Sequence, residues 1–405
     1  MAIDVKKYSN INIDDFDAIV VGAGFAGSVV ARELAERANK KVLILEKRNH
    51  IAGNMYDCVD RAGILIHNYG PHIFHTNDKR AYDYVCGFSN FIDYQHEVLA
   101  DLNGKLIPVP FNKNSIEACF DAEKAKNLIS KLVSTFGDEK KVPINDLRKE
   151  NDPELSELAD FIYNNVFEYY TRKQWDLKPE ELDPSVTARV PVFISRDNRY
   201  FQDKYQGMPE QGYTKLFKNL LSHENITICL GIDAENVLGL TFKGSGTDTP
   251  LDSVRVQDKE FEGEIIYTGP IDELLISRYG RLPYRSLNFV YETLDKEEYQ
   301  PCATVNYTIS EDYTRITEFK HMTGQKSDKT TIMKEYSCSY EDPKTQIPYY
   351  AILKEENLAA YEKYRKILEP AKNFHILGRL AEYKYYNMDA IIVEALKLAD
   401  KIIEG

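Results

Sequence analysis

Two patterns in the sequence predict an α/β fold. Residues 17 to 46 run from a short apolar segment through GxGxxG and an amphipathic helix to a second apolar segment that ends in an acid. That order belongs to a parallel-sheet unit built to hold a dinucleotide. The tract from 284 to 350 alternates instead, as in YTRITEFKH, which predicts antiparallel strands with one wet face. Between the two, amphipathic runs within residues 115 to 184 predict a helical insertion.

The first apolar segment, Ala18 to Val21, is continuous, as a strand buried on both faces requires. Gly22 permits the tight turn after it, Gly24 lets backbone approach a pyrophosphate, and Gly27 lets the helix pack on the strand. The start of that helix offers amides and partial positive charge to phosphates. The next segment, KVLILE, ends on Glu46, which is spaced to accept hydrogen bonds from a ribose diol. This motif alone does not separate NAD from FAD. Arg48 and the Gly53-Asn54 turn that follow suit an extended dinucleotide. Farther on, IIYTGPID reads as a buried strand ending at Gly269, and FHILGRL as another with Arg379 just past its glycine. Asn387 and Met388 open a C-terminal helix whose N-terminus is a second candidate to face the cofactor. The dinucleotide domain is therefore expected to be discontinuous, from residues 15–90, 205–275 and 355–405. The helical insertion is expected over 115–184, and the sheet domain over 91–114, 185–204 and 276–354.

A length of 405 residues suits two or three such units. The formal charge of -13 argues against a nucleic-acid partner held by a general positive field. The first residues lack the apolar core of a signal peptide, and no apolar run nears the roughly 20 residues that span a bilayer, so no membrane role is expected. Six cysteines without CxxC spacing read as reduced cytoplasmic thiols, neither a disulfide frame nor a metal site.

Longer motifs carry a more specific signal. VGAGFAG, LEKRNHIAGN, HNYGPHIFHTND, PVPFN, YTRKQW, RYFQDKYQGMPEQGYTKL, YTGPID, YTRITEFKH, KEYS, PYY and GRLAEYKYYNMD extend over nearly the whole chain. In these the sequence resembles the bacterial UDP-galactopyranose mutases, flavoenzymes that interconvert pyranose and furanose forms of a nucleotide sugar. The resemblance implies a Rossmann-like FAD-binding domain with an inserted helical bundle and an antiparallel β-sheet domain. It implies FAD along Gly22, Gly24, Gly27, Glu46, Arg48, Asn54, Gly269, Arg379, Asn387 and Met388, with His72 and His75 beside the isoalloxazine ring. Arg189 and Arg315 match the arginines that hold the substrate diphosphate, where a planar donor fork suits phosphate oxygens. Tyr170, Tyr200, Tyr350 and Tyr385 match tyrosines of the same cleft. Phe167, Thr171, Gln174 and Trp175 join Tyr170 in the uridine region, and Asn306 and Glu335 fall near the sugar.

The implied mechanism makes the cofactor the nucleophile. N5 of reduced FAD attacks sugar C1, UDP leaves, the ring opens as an iminium ion and recloses through another hydroxyl, and no net oxidation occurs. That agrees with a sequence in which no Ser/His/Asp, Cys/His or paired-carboxylate constellation stands out. NAD(P)H is the expected external reductant, a homodimer the expected assembly, and polysaccharide biosynthesis the expected use. His72 keeps the identity typical of the galactose enzymes and favours UDP-galactose. Departures leave room for another sugar: His96 stands where the family usually has asparagine near the substrate, Phe193 replaces an arginine, and Asp176 replaces the glycine after the tryptophan. A mutase for dTDP-fucopyranose or UDP-N-acetylgalactosamine, a flavin oxidoreductase with net redox and a non-catalytic nucleotide-sugar binding protein are the other readings. Trp175, the only tryptophan, sits among charges and is expected as an exposed gate over the uracil; the alternative is a helix-end residue capping a satellite core.

Overall fold

The computed structural model describes residues 2–176, 191–309 and 311–405. Its centre is a six-stranded sheet, ordered Asp4–Val5, Ile226–Leu230, Val42–Glu46, Ala18–Val21, Glu264–Tyr267, Phe374–Ile376, with every pairing parallel. The continuous apolar runs arise because both faces are covered. Ala18, Val20, Val42, Ile44 and Ile266 belong to one apolar cluster, and Ile19, Val21, Leu43, Leu45 and Ile265 to the other. The helix Phe25–Ala38 packs beside the C-terminal helix Met388–Glu404 on the first of these faces.

The edge strand Asp4–Val5 lies outside the boundaries expected for this domain. Two residues without a hydrophobic period leave no pattern to read, and the pairing comes from the open edge of Ile226–Leu230. Within residues 238–260 the chain also makes a three-stranded antiparallel meander, Leu238–Phe242, Leu251–Val256 and Lys259–Glu260, instead of contributing to the parallel sheet.

The second large sheet has seven strands, ordered Tyr350–Ala351, Tyr284–Leu294, Thr330–Ser339, Arg315–Glu318, Thr304–Tyr307, Val98–Leu102, Lys105–Val109. All its pairs are antiparallel except Thr304–Tyr307 with Val98–Leu102. Of the segment 185–204, expected to join it, only residues 191–204 are described, and they add no strand to it. Val192–Phe193 pairs with Lys141–Val142 in a separate two-stranded ribbon, and Arg199 only bridges Glu97. Phe193 is buried there beneath Lys141.

The helical insertion runs through Lys113–Cys119, Ala122–Phe136, Ile144–Leu147 and Pro153–Ile162. A π-helical turn, Tyr163–Phe167, then leads into Glu168–Trp175. Asn112, Asp121 and Asp152 cap three of these helices with their side chains, which places the starts where polar residues meet amphipathic runs. Among the described residues no helix is long and apolar enough to cross a membrane.

Candidate active site

At the C-terminal ends of the parallel strands lies a cavity of 540 Å³. Strand Ala18–Val21 has its sequence neighbour Val42–Glu46 on one side and the distant Glu264–Tyr267 on the other, so the sheet order reverses at the glycine turn. Gly22, Gly24, Glu46, Arg48 and Asn54 line the cavity from the N-terminal segment. Gly269, Arg379, Asn387 and Met388 line it from the distant ones. Phe25 and Met388 bring two helix N-termini to the wall.

The glycines act sterically. Gly22 has φ +100°, and a Cβ there would lie 2.2 Å from Thr268 Oγ1. A Cβ on Gly27 would lie 2.1 Å from the Gly22 carbonyl oxygen. Gly27 is thus a packing residue behind the turn and does not line the cavity. Glu46 Oε2 accepts from Ala23 N–H at 2.8 Å and Oε1 from Arg48 N–H at 2.9 Å. Each oxygen keeps a lone pair for a ribose hydroxyl. Arg48 donates to Asn54 Oδ1 at 2.9 Å and lies 4.2 Å from the centre of the Tyr69 ring, while its Nη1 is buried without a partner. A glycine cradle that a Cβ would fill and an orphaned buried guanidinium nitrogen fit a dinucleotide with its pyrophosphate on the turn.

Arg379 joins this cavity to a second cluster. Its guanidinium lies 4.6 Å from the Tyr385 ring and 5.7 Å from Tyr350, rings that stack with an interplanar angle of 8°. Trp175 follows, 5.5 Å from Tyr350. On the neighbouring strands Arg315 donates to the Tyr170 hydroxyl at 2.6 Å and lies 3.3 Å from the Glu335 carboxylate. Burial is the largest single influence on Arg315 and opposes its charge, but Glu335 together with Tyr170, Tyr350 and Tyr200 outweighs it and pushes the guanidinium pKa further up. Asn306, opposite Arg315 in register, is buried, and its Oδ1 has no partner. Arg189 lies outside the described residues.

The histidines divide between these clusters. His72 lines the cofactor cavity, with Nδ1 2.8 Å from the Gly70 carbonyl. His75 is not on that wall: its ring stacks on Phe201 at 3.6 Å, and Nδ1 lies 3.0 Å from Asp203 Oδ2. His96 also lies near Phe201, at 6.0 Å, and 5.9 Å from Tyr200, with Nδ1 3.0 Å from the Tyr94 hydroxyl. Burial first, then Arg315 and His75, push the His96 pKa down to about 3. Burial, His67 and Arg379 push His72 down to about 3, and burial pushes His67 down to about 4. Held this low, these three rings are neutral at neutral pH and add no positive charge to the cleft.

Two residues expected on the uridine side are buried. Phe167 packs into the apolar core of the helical insertion. Trp175 is 6% exposed, not an open gate. The short helix Glu168–Trp175 ends against the seven-stranded sheet, where Tyr350 packs beside the indole, while Lys173 reaches backbone carbonyls of the connection between two of its strands and Arg172 and Asp176 are exposed. Thr171 is buried on the same helix, and the Gln174 carbonyl accepts from Arg285 Nε and Ser337 Oγ. Lys173, Asp203 and Arg285 carry contacts that the residue-by-residue reading missed. Asp203 lies within the motif RYFQDKYQ, which is the signal that could have found it.

A family model described as UDP-galactopyranose mutase matches residues 165–385, and one described as an NAD(P)-binding Rossmann-like domain matches residues 20–87. The chain is 36% identical over 392 residues to a probable UDP-galactopyranose mutase of Klebsiella pneumoniae, covering 96% of this chain and 94% of that protein. It is 34% identical over 391 residues to dTDP-fucopyranose mutase of Escherichia coli, covering 96% and 98%. The crystal structure of a reduced UDP-galactopyranose mutase matches with a TM-score of 0.64 at 16% identity, over 96% of this chain and 94% of that one, a likeness of fold.

Proposed function

The chain belongs to the UDP-galactopyranose mutase family, and from that premise we propose that it interconverts UDP-galactopyranose and UDP-galactofuranose with FAD as its flavin. The observation that carries the reading is the junction at Arg379. One guanidinium lies on the wall of the dinucleotide cavity and against the Tyr385–Tyr350 pair that leads towards the Arg315 cluster. A nucleotide sugar with its diphosphate on Arg315 then has its sugar beside the cofactor.

Reduced flavin, once bound, supplies the nucleophile for the anomeric carbon. The chain's own residues do the rest. Arg315, kept charged by Glu335, neutralises the departing diphosphate, and Tyr170 adds a hydroxyl to the same anchor. Arg189 is proposed from its motif alone as the second diphosphate cation. Tyr350, Tyr385 and the buried Trp175 wall the cleft against water, which competes for an opened sugar. The buried, unpaired amide oxygen of Asn306 is available to accept from a substrate hydroxyl. NAD(P)H as reductant and a homodimeric state complete the proposal.

A mutase for a dTDP-6-deoxyhexose is the second reading, favoured by nearly equal identity to the Escherichia coli enzyme, 34% against 36%, and by His96 in place of asparagine. Chromatography of UDP-galactofuranose, UDP-N-acetylgalactofuranose and dTDP-fucofuranose after incubation with dithionite-reduced enzyme distinguishes them. We expect UDP-galactofuranose to be converted fastest to its pyranose. A faster dTDP sugar selects the second reading, and conversion of none refutes both.

A further inference from the structure

Lys173 makes three contacts that serve no recognised part of the chemistry. Its ammonium donates to the backbone carbonyls of Tyr307, Glu311 at 2.9 Å and Tyr313 at 3.3 Å. An ammonium has three donors and no acceptor, so its hydrogen-bonding capacity is filled by carbonyls. Burial lowers the pKa of Lys173, and only partial relief comes from Glu311 and Asp312. Withdrawing a lysine from water to hold backbone costs free energy, so what it ties together matters.

The tie joins two carriers of the substrate site. Lys173 sits on the helix Glu168–Trp175, which bears Tyr170 and Trp175. The carbonyls belong to the connection between strand Thr304–Tyr307, which bears Asn306, and strand Arg315–Glu318, which begins at Arg315. Tyr170 and Lys173 are three residues apart and share a helix face. That face therefore meets the hairpin twice, through Lys173 on its carbonyls and through Tyr170 on Arg315. Arg285 and Ser337 bind the Gln174 carbonyl at 3.1 and 2.6 Å and pin the same helix to the strands behind it.

We propose that Lys173 is a positioning residue for the nucleotide end of the substrate. By holding the helix against the 307–313 connection, it sets the spacing at which Tyr170 and Arg315 share a diphosphate and Trp175 stays under Tyr350. This rests on the nucleotide-sugar reading, and its test separates the two. Lys173→Met keeps the apolar stem and removes all three donors, Lys173→Gln keeps two donors without charge, and Lys173→Arg keeps charge and donors. UDP is the probe, added to flavin-loaded protein, and the single tryptophan reports the helix. In Lys173→Met we expect the UDP dissociation constant to rise at least tenfold and Trp175 to become more accessible to acrylamide. Flavin content and absorption spectrum should stay unchanged, KM should rise more than kcat falls, and Lys173→Arg should recover most of the loss. UDP affinity within twofold of wild type and unchanged quenching would overturn the proposal, as would a lowered melting temperature with normal UDP affinity. If Lys173→Met does not retain flavin, Lys173→Gln carries the same comparison with smaller changes expected. Failure of the wild type to bind UDP refutes the uridine-nucleotide reading, while acrylamide quenching still decides whether Lys173 holds the helix.

Discussion

Replacing His96 with asparagine tests how the cleft keeps its histidines neutral. The ring is 4% exposed, with Tyr94, Tyr200 and Phe201 around it, and its pKa is pushed down to about 3 by burial and then by Arg315 and His75. In the unfolded chain a histidine titrates near 6.5. A depressed pKa means that the folded state favours the neutral ring, so the contribution is complete above about pH 6.5 and is lost as pH falls towards 3. Linkage sets the loss at about 1.4 kcal/mol for this one ring between pH 7.5 and 5.5. His67 and His72 respond in the same direction, so His96→Asn should remove about a third of a combined loss of roughly 4 kcal/mol. Urea unfolding of wild type and variant, both with saturating FAD, gives the comparison at the two pH values. The stability difference between them should shift by about 1.4 kcal/mol in favour of the variant at pH 5.5. A difference that stays constant within about 0.3 kcal/mol, roughly the error of comparing such curves, would refute the claim that His96 is held neutral by burial.

Glu335→Gln leaves the buried Arg315 without its carboxylate. We expect the ligand-free protein to lose about 3 kcal/mol, and UDP to raise its melting temperature more than it does in wild type. An equal or smaller rise in differential scanning fluorimetry contradicts the counter-ion role. Gly27→Ala drives a Cβ into the Gly22 carbonyl and Val20, so it should cost about 1–3 kcal/mol and strip the bound flavin, as read from the absorption spectrum after gel filtration. Retained stoichiometric flavin speaks against that packing. Asp176 ends its helix at φ 56°, and its largely exposed carboxylate lies 3.9 Å from the buried Arg285, a long contact. Asp176→Gly should therefore stabilise by about 0.5 kcal/mol, and a drop in calorimetric melting temperature would give the weight to the Arg285 contact.

The dinucleotide cradle was legible because its determinants are local. Gly22 and Gly24 form the turn between a strand and a helix, Gly27 lies in the first turn of that helix, and the covered sheet faces explain the unbroken apolar runs at residues 18–21 and 42–46. The short edge strand at Asp4–Val5 was not legible, since its pairing depends on a partner more than 200 residues away. Contacts of the site lie at similar range. Lys173 finds the Tyr307 carbonyl 134 residues on, and His75 finds Asp203 128 residues on. No period or spacing in the chain encodes such pairs.

By itself the sequence determined the strand–turn–helix that receives a dinucleotide, the family resemblance, and the residue types available to bind a diphosphate. The tertiary structure alone decided which of them meet. It buried Trp175 under Tyr350, turned Phe167 into core, and divided His72 from His75. The reason is that exposure and partnership depend on what covers a surface. For YTRKQW the cover comes from strands Tyr284–Leu294 and Tyr350–Ala351, which follow more than 100 residues later, so a tryptophan among charges looks exposed until those strands are in place.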